Sequence, residues 1–200
     1  MARIKDEKLH EERRLQILQA AANVFKTKGF HAARTEEICA NAELSAGTVF
    51  RYFASKEEII AAIVDVEIEE FRNHIRALGS KDGIKWIAQI NAKELADLLA
   101  PSVFDLGADS WLELYRNPKY HDRMIEQDDE LRAMLATVLR EGQRGGWVRA
   151  ELNAIGAANI IMGMFSGLMF DSQLNPTLNM TATAKALSDL FQCYILQMSE

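Results

Sequence analysis

Apolar residues recur every three or four positions along most of the chain, and almost no stretch alternates apolar and polar residues with period two. This spacing matches the turn of an α-helix and predicts an all-α protein. Four helices are expected in the N-terminal part. The first runs from near Leu9 to Gly29, the second starts after Thr35 and covers EEICANA, and the third covers AGTVFRYF. The fourth starts at the capping box Ser55–Glu58 and runs to about Leu78. Further helices are predicted near residues 84–99, 102–115, 120–143, 152–173 and 179–198.

The second and third predicted helices are separated only by a short turn, Glu43-Leu44-Ser45. Ser45 is a good N-terminal cap, and Val49 and Phe53 lie four residues apart, on one face of the helix that follows. Two short helices on a tight turn, supported by a longer first helix, form a helix-turn-helix, whose second helix can enter the major groove of DNA. The motif is predicted at about residues 34–53.

The other face of this short helix has the composition expected of a surface that approaches DNA closely. Its residues are small or can hydrogen-bond phosphates and base edges: Ser45, Ala46, Gly47, Thr48, Arg51 and Tyr52. Lys56 follows at the start of the fourth helix, where backbone N–H groups and the helix dipole also favour an anion. A purely structural role is also open for some residues of this region. Thr35 and Ser45 can serve only as helix caps, and Arg51 can be an ordinary solvated charge.

The charge distribution changes the picture given by the bulk numbers. The net charge of the 200 residues is −6, which by itself argues against a nucleic-acid partner. Residues 1–56, however, contain ten Lys/Arg and seven Asp/Glu, a net of +3, whereas residues 57–200 contain thirteen and twenty-two, a net of −9. An anion-binding surface is therefore expected in a DNA-binding domain at 1–56, joined by the long fourth helix to an acidic helical body at 57–200.

The segment from about residue 10 to residue 60 resembles the DNA-binding domain of the TetR family of transcriptional regulators. The resemblance rests first on Leu18, Ala21-Ala22, Phe25 and Gly29-Phe30, and then on Ser45, Gly47-Thr48, the aromatic run from Phe50 to Phe53, and Ser55–Glu58. It implies that the DNA contacts come from Thr35, Ser45, Gly47, Thr48, Tyr52 and Lys56.

Two positions depart from the family pattern. Glu43 stands at a turn position that is often Gly, and a left-handed conformation there would cost Glu on the order of 1 kcal/mol, so a slightly different turn is expected. Phe50 stands where the family often has Tyr, and it has no hydroxyl with which to contact a phosphate.

The resemblance further implies that residues 57–200 bind a small-molecule effector and form a homodimer. Glycines spaced by seven and four let two helices approach closely, and with residues of the last helix they form the predicted dimer interface: Gly156, Gly163, Gly167, Leu187, Phe191 and Tyr194. The predicted effector-binding residues are Trp86, Ile90, Phe104, Trp111, Tyr115, Met134 and Phe165. Both sets are also typical of ordinary packing within one subunit.

An uncharged stretch of 19 residues, 152–170, is close to the length of a membrane span. Asn153, Asn159 and Ser166 interrupt it, and no cluster of Lys or Arg flanks it, so a buried helix of a soluble protein is expected, with no membrane partner. Cys39 and Cys193 both fall among apolar residues and are expected to be buried free thiols.

Together these features predict a dimeric, cytoplasmic, all-α DNA-binding regulator, a repressor that a small-molecule effector releases from a near-palindromic operator. The sequence has no phosphate-binding loop, nucleophile elbow or Cys/His metal spacing, so no enzyme activity, metal or cofactor is predicted. The alternatives are a helical ligand-binding protein or enzyme without DNA function, and an activator or a regulator without an effector.

Overall fold

The structure is a computed structural model that describes residues 2–100, 103–106 and 108–197, with the side chains of 8–100, 103–106 and 110–197. Within these ranges the regular structure is helical, apart from an isolated bridge between Val148 and Leu196, which confirms the predicted all-α class. The helices are α1 (Ala2–Ala32), α2 (Thr35–Asn41), α3 (Ala46–Tyr52), α4 (Lys56–Leu78), α5 (Lys81–Ile87), α6 (Ala92–Leu98), α7 (Ala108–Arg116), α8 (Pro118–Arg144), α9 (Ala154–Leu174), α10 (Met180–Leu190) and a π-helical turn (Phe191–Ile195).

Helix α1 is longer than predicted at both ends. It starts at Ala2 instead of near Leu9, and it continues to Ala32 after a break in its geometry at Gly29, where φ is 73° and ψ is 167°. Glycine adopts a positive φ without the steric penalty that a Cβ would bring. The predicted end at Gly29 is therefore a kink inside the helix.

The predicted helix at 84–99 is two helices, α5 and α6, because Asn91 begins a new one. Asn91 Oδ1 accepts hydrogen bonds from the backbone N–H groups of Lys93 and Glu94 at 2.9 and 3.0 Å, and its own N–H donates to the Glu94 carboxylate at 2.9 Å. This capping box starts a new helix at Ala92, although the apolar pattern continues across it without a break.

The other differences lie at helix ends. The last predicted helix, 179–198, ends as α10 and the π-helical turn, after which Leu196 pairs with Val148. The predicted helix at 102–115 appears as α7, which begins at Ala108; residues 101 and 102 lie outside the described residues.

The chain divides into two compact units. The first unit is Met1–Glu70 with Ser102–Pro118, and the second unit is Phe71–Pro101 with Lys119–Glu200. The first unit therefore continues past residue 56, the predicted domain boundary, and includes α7 from the middle of the chain. Helix α4 contributes its first part to one unit and its last turns to the other.

The core of the first unit is formed by the faces that the apolar pattern predicted. The buried residues on α1 include Ile17, Leu18, Ala21, Val24 and Phe25, and those on the two short helices and the residues after them are Ile38, Cys39, Ala42, Val49 and Phe53. The rings of Phe25 and Phe30 pack edge to face, with centroids 4.9 Å apart. Burial of these side chains holds α3 by its inner face and leaves its outer face at the surface.

The second unit is built around one apolar core to which α4–α6 and α8–α10 contribute. The backbone approaches most closely at two glycines. A Cβ at Gly83 would lie 2.2 Å from the Ala77 carbonyl oxygen, and one at Gly142 would lie 2.4 Å from Val148 Cγ2. Any side chain at Gly83 would displace backbone, so α5 depends on this glycine to pack against the end of α4.

The two cysteines differ in exposure. Cys39 is buried as predicted, and burial raises the pKa of its thiol above the ordinary value. Cys193 is exposed, so the prediction of a buried thiol is wrong for this residue. In the π-helical turn, Phe191 and Ile195 are the residues buried in the core, and Cys193 lies between them on the solvent side.

Candidate nucleic-acid interface

The turn between α2 and α3 keeps a left-handed residue even though glycine is absent there. Glu43 has φ 54°, a conformation that costs a non-glycine residue on the order of 1 kcal/mol. Backbone hydrogen bonds compensate, since the N–H of Ala42 donates to Ile38 O at 2.8 Å and the N–H of Leu44 donates to Cys39 O at 3.1 Å. The departure at Glu43 therefore adds strain to the turn without removing its left-handed residue.

The start of α3 is fixed by a pair of hydroxyls. Ser45 is the N-cap, and its Oγ accepts a hydrogen bond from the Thr48 N–H at 3.2 Å. The hydroxyls of Ser45 and Thr48 are themselves within hydrogen-bond distance, 2.9 Å. Because a hydroxyl can donate one hydrogen bond and accept two, both groups keep capacity for a ligand. Ser45 is thus a cap, as predicted, and still available at the surface.

The inner face of α3 is buried and its outer face is not. Val49 and Phe53 are buried, and the Arg14 guanidinium lies 5.8 Å from the centroid of the Phe53 ring. The predicted DNA-contacting residues of this helix lie on the surface, three of them exposed and two half-buried: Ala46, Gly47 and Arg51, then Thr48 and Tyr52. Phe50, which stands where the TetR family often has Tyr, is 49% exposed.

Gly47 has no structural reason to be glycine. It lies within α3, its φ is not positive, and a Cβ built there would meet no atom within 4 Å. Glycine in a helix costs roughly 1 kcal/mol relative to alanine. The absence of a side chain at this exposed point therefore favours an explanation in which another molecule approaches the backbone of α3.

Thr35 does not cap α2. It is the first residue of the helix, half-buried, and the N-cap position is Arg34, whose N–H donates to Glu37 Oε2 at 3.1 Å. Lys28 Nζ donates to the other oxygen of Glu37 at 2.5 Å. The hydrogen bonds from Lys28 and Arg34 hold the pKa of Glu37 below its ordinary value. The capping interpretation of Thr35 is therefore wrong, and its hydroxyl stands in the first turn of α2.

Lys56 is used by the protein itself. Its Nζ donates to the carbonyl oxygens of Phe30 at 2.6 Å and Ala33 at 3.0 Å, so it caps the end of α1 beyond the kink at Gly29. An ammonium group has three N–H donors. Only the third is left for a phosphate, so Lys56 is in the first place a link between α4 and the end of α1.

Helix α7 contributes residues to the same unit that the sequence pattern did not single out. Glu113 accepts a hydrogen bond from the Phe30 N–H at 3.1 Å and lies 3.2 Å from His31 Nε2. Asp105, which has φ 45°, forms an ion pair with Lys26. The backbone of Phe30 is thus held on both sides of its Cα, by Glu113 at the N–H and by Lys56 at the carbonyl oxygen. No local signal could identify Glu113, since 83 residues separate it from Phe30.

The predicted effector-binding residues are divided between the two units. Phe104, Trp111 and Tyr115 belong to the first unit, and the other four to the second: Trp86, Ile90, Met134 and Phe165. In the second unit, Ile90 and Phe165 belong to the core, Met134 packs against it, and Trp86 is exposed with its ring N–H directed to Glu94. In the first unit, Phe104 is buried and its backbone N–H donates to the buried carboxylate of Glu67 at 3.0 Å.

Helix α9 leaves an apolar stripe uncovered in the single chain. Gly156, Ile160, Gly163 and Gly167 follow at steps of four, three and four, so they share one face. Ile160 is 51% exposed, and a Cβ at Gly163 or Gly167 would meet nothing within 4 Å. Of the described helices, α9 is long and apolar enough to cross a membrane by length and composition, a test that core helices of soluble proteins also pass.

Two of the predicted dimer residues are not at the surface. Leu187 is 4% exposed and Phe191 is fully buried, and both belong to the core of the second unit. They are therefore wrong as direct interface contacts, because α10 turns these side chains toward its own subunit. Tyr194 is exposed, and Gly156 is half-buried beside its cap, Asn153.

Comparison with known proteins gives two matches to family models. Residues 17–63 match bacterial regulatory proteins of the tetR family, and residues 95–195 match the C-terminal part of the BetI-type transcriptional repressor. The HTH-type transcriptional regulator YdgC of Bacillus subtilis is 30% identical over 168 residues, which cover 78% of this chain and 79% of YdgC.

Solved structures agree on the fold. A TetR transcriptional regulator from Chloroflexus aurantiacus superposes with a TM-score of 0.73 at 21% identity, covering 96% of this chain and all of the other. A transcriptional regulator from Saccharomonospora viridis in complex with choline gives a TM-score of 0.68 at 21% identity, covering 94% and 100% of the two chains. The two matched families and YdgC are transcriptional regulators by name, so the alternative of a helical protein without DNA function is not favoured.

Proposed function

The chain belongs to the TetR family of bacterial transcriptional regulators, and from this premise we propose that it is a repressor. It binds a near-palindromic operator as a homodimer and leaves it when a small molecule binds. The single observation that carries the proposal is the outer flank of α3, where Gly47 is exposed without any packing reason for the lack of a side chain.

The roles of the DNA-contacting residues follow from their places on this flank. Ala46 and Gly47 let the backbone of α3 approach the major groove, and Thr48 with Ser45 offers hydroxyls to phosphate or base edges. Tyr52 and Arg51 stand at the other end of the helix and serve the backbone of the duplex. Thr35, in the first turn of α2, offers a further hydroxyl, and the free N–H of Lys56 adds a phosphate contact.

The dimer is proposed to form through the stripe on α9. A soluble protein rarely leaves an isoleucine and a row of glycines uncovered along three helical turns, and a second copy related by a two-fold axis would cover them. Gly163 and Gly167 would let the two α9 helices come close, and exposed Tyr194 would stand at the edge of the contact. Two copies would then place their α3 helices in successive major grooves, about 34 Å apart.

The effector is proposed to act through α4, which contributes to both units. The choline complex of the Saccharomonospora viridis regulator supports a small organic molecule as the class of ligand. Candidates to contact it are the seven predicted residues, of which four lie in the second unit: Trp86, Ile90, Met134 and Phe165. Coupling of about 1–3 kcal/mol between the sites lowers operator affinity roughly 5- to 150-fold. A regulator of this kind works in the cytoplasm, where its DNA is.

Selection from a pool of random duplexes, followed by anisotropy titration of the enriched sequence, tests the function. We expect a two-fold symmetric sequence with half-sites about one helical turn apart, bound far more tightly than an unrelated duplex. Mass spectrometry of the purified protein under native conditions then identifies any ligand that co-purifies, and adding that ligand should raise the operator Kd. A protein that shows no enrichment and no binding even at about 50 mM salt is not a DNA-binding regulator.

A further inference from the structure

The first half of α1 is held against the helix-turn-helix motif, although the match to the DNA-binding family begins only at residue 17. The His10 ring lies 4.6 Å from the Tyr52 ring, centroid to centroid, at an angle of 36°. Four residues on, the Arg14 guanidinium lies over Phe53. Gln16 Nε2 donates to the Ala42 carbonyl oxygen at 2.7 Å. Residues 8–16, here called the α1 extension, are thus fixed to the ends of both α2 and α3.

The contact with Tyr52 places the α1 extension beside the recognition surface. Tyr52 is the last residue of α3, and the Arg51 guanidinium lies 5.6 Å from the centroid of its ring. His10 and Arg51 therefore both approach the ring that was predicted to contact DNA. The α1 extension therefore forms one continuous surface with the C-terminal end of α3, and a duplex bound at α3 would pass beside it.

The charges of the α1 extension are only partly cancelled. Lys8 lies 3.8 Å from Glu12 and Arg14 lies 3.5 Å from Glu11, so two cations have acidic neighbours on the same helix. Arg13 instead donates to the neutral amide oxygen of Gln16 at 2.7 Å and is exposed. Arg13 is thus a positive charge on a rigid helix, one turn from His10 and adjacent to the DNA-binding motif.

We propose that the α1 extension is a second DNA-contacting surface that binds the sugar–phosphate backbone of the operator beside the recognition helix. Arg13 contacts phosphate, and His10 is a positioning residue that fixes the extension to Tyr52. The proposal rests on the proposed function, because the ligand is the same duplex. A contact of this type adds affinity for every sequence and does not read bases.

Arg13→Gln tests the phosphate contact, with Arg144→Gln as the matched control at the exposed end of α8. We expect Arg13→Gln to weaken binding to the operator and to an unrelated duplex by a similar factor, roughly three- to tenfold at about 0.1 M salt. The slope of log K against log salt should fall by about 1 for each phosphate that is no longer neutralised. Unchanged affinity and slope in Arg13→Gln, or the same change in Arg144→Gln, would overturn the proposal.

His10→Ala and His10→Phe test the positioning role. His10→Ala should bind the operator several-fold more weakly because the stack on Tyr52 is removed, and His10→Phe should restore affinity to within about twofold with the salt slope of the unmodified protein. If His10→Ala binds normally, or His10→Phe fails to rescue, the positioning role is wrong. If the unmodified protein binds no duplex at all, the proposed function itself fails, so the two failures are distinguishable.

Discussion

Helices α3 and α9 each leave one face uncovered in the single chain, but the two faces differ in chemistry. The face of α3 carries hydroxyls, a cation and a glycine on a helix of 7 residues. The face of α9 carries Ile160 and three glycines on a helix of 21 residues, with Ile160 51% exposed. In both places a glycine stands where the fold leaves room for a side chain.

This difference indicates which kind of partner each face requires. An exposed glycine in a helix lowers stability, so its presence at Gly47 and Gly163 points to something outside the monomer that approaches closely. Hydroxyls and Arg beside Gly47 suit a phosphate backbone, whereas apolar side chains beside Gly163 suit a second helix of the same kind. The same argument from missing side chains thus supports both proposals, DNA as the partner of α3 and a second copy of the chain as the partner of α9.

The largest effect is expected from breaking the α9 face. Ile160→Glu places a charge on the stripe, and two-fold symmetry would place two such charges in the contact of the proposed dimer. We expect the dimer to weaken by about 4 kcal/mol, roughly a thousandfold in its dissociation constant. Sedimentation equilibrium should show a monomer at micromolar concentration. The circular dichroism spectrum should stay as helical as that of the unmodified protein. Leu112→Glu, at an exposed position on α7, is the control and should leave the assembly unchanged.

The two cysteines sharpen the comparison because one is buried in the first unit and the other is exposed on the second. Cys193 should react with an alkylating reagent at the rate of an accessible thiol. Cys39 should react at least about a hundredfold more slowly, since burial disfavours its thiolate and access requires local opening of the helix-turn-helix. Peptide mass spectrometry after timed labelling measures both rates. Equal rates would mean that α2 does not pack as described.

Lys56 separates structural from DNA-contacting roles within the first unit. Lys56→Met removes hydrogen bonds to the carbonyls of Phe30 and Ala33, so we expect the free energy of unfolding to fall by about 2 kcal/mol in urea titrations. Lys85→Met, on α5, is the control and should change stability little. If Lys56→Met leaves the free energy of unfolding unchanged and lowers the salt slope of operator binding by about 1, the main role of Lys56 is instead a phosphate contact.

A small effect of pH is expected where α1 meets α2. Lys28 and the Arg34 N–H lower the pKa of Glu37 in the folded protein. Its contribution to stability is therefore present above the ordinary pKa of a Glu side chain and is lost as pH falls through the lower pKa of the folded protein. Urea midpoints measured between about pH 3 and 6 should decrease less steeply in Glu37→Gln than in the unmodified protein. Identical slopes would mean that the hydrogen bonds from Lys28 and the Arg34 N–H to this carboxylate contribute nothing to the pH dependence.

Local sequence signals predicted α3 well because local interactions build it. The cap at Ser45 depends on Thr48, three residues away, and the inward pair Val49 and Phe53 is visible in the sequence as two apolar residues four positions apart. The split between α5 and α6 was missed although its signal is local. Asn91 with Glu94 is a capping box, but the apolar periodicity runs straight through it.

What the sequence could not predict depends on residues far apart in the chain. Lys56 has the position of a phosphate ligand, and only the fold places the end of α1 within its reach. Glu113 meets the Phe30 N–H from α7, which no periodicity could indicate. Leu187 and Phe191 share the apolar character of an interface, and whether such residues face the core or a partner is decided by how α10 packs.

The most direct test of the central claim is a paired measurement on Gly47→Leu, namely thermal unfolding and operator affinity on the same preparation. The Cβ of a leucine there meets no atom of the protein, so the melting temperature should stay the same or rise. The same side chain would stand between α3 and the duplex, so the operator Kd should rise at least about tenfold. A variant that binds the operator as tightly as the unmodified protein would contradict the account, because the open flank of α3 would then not be where DNA lies.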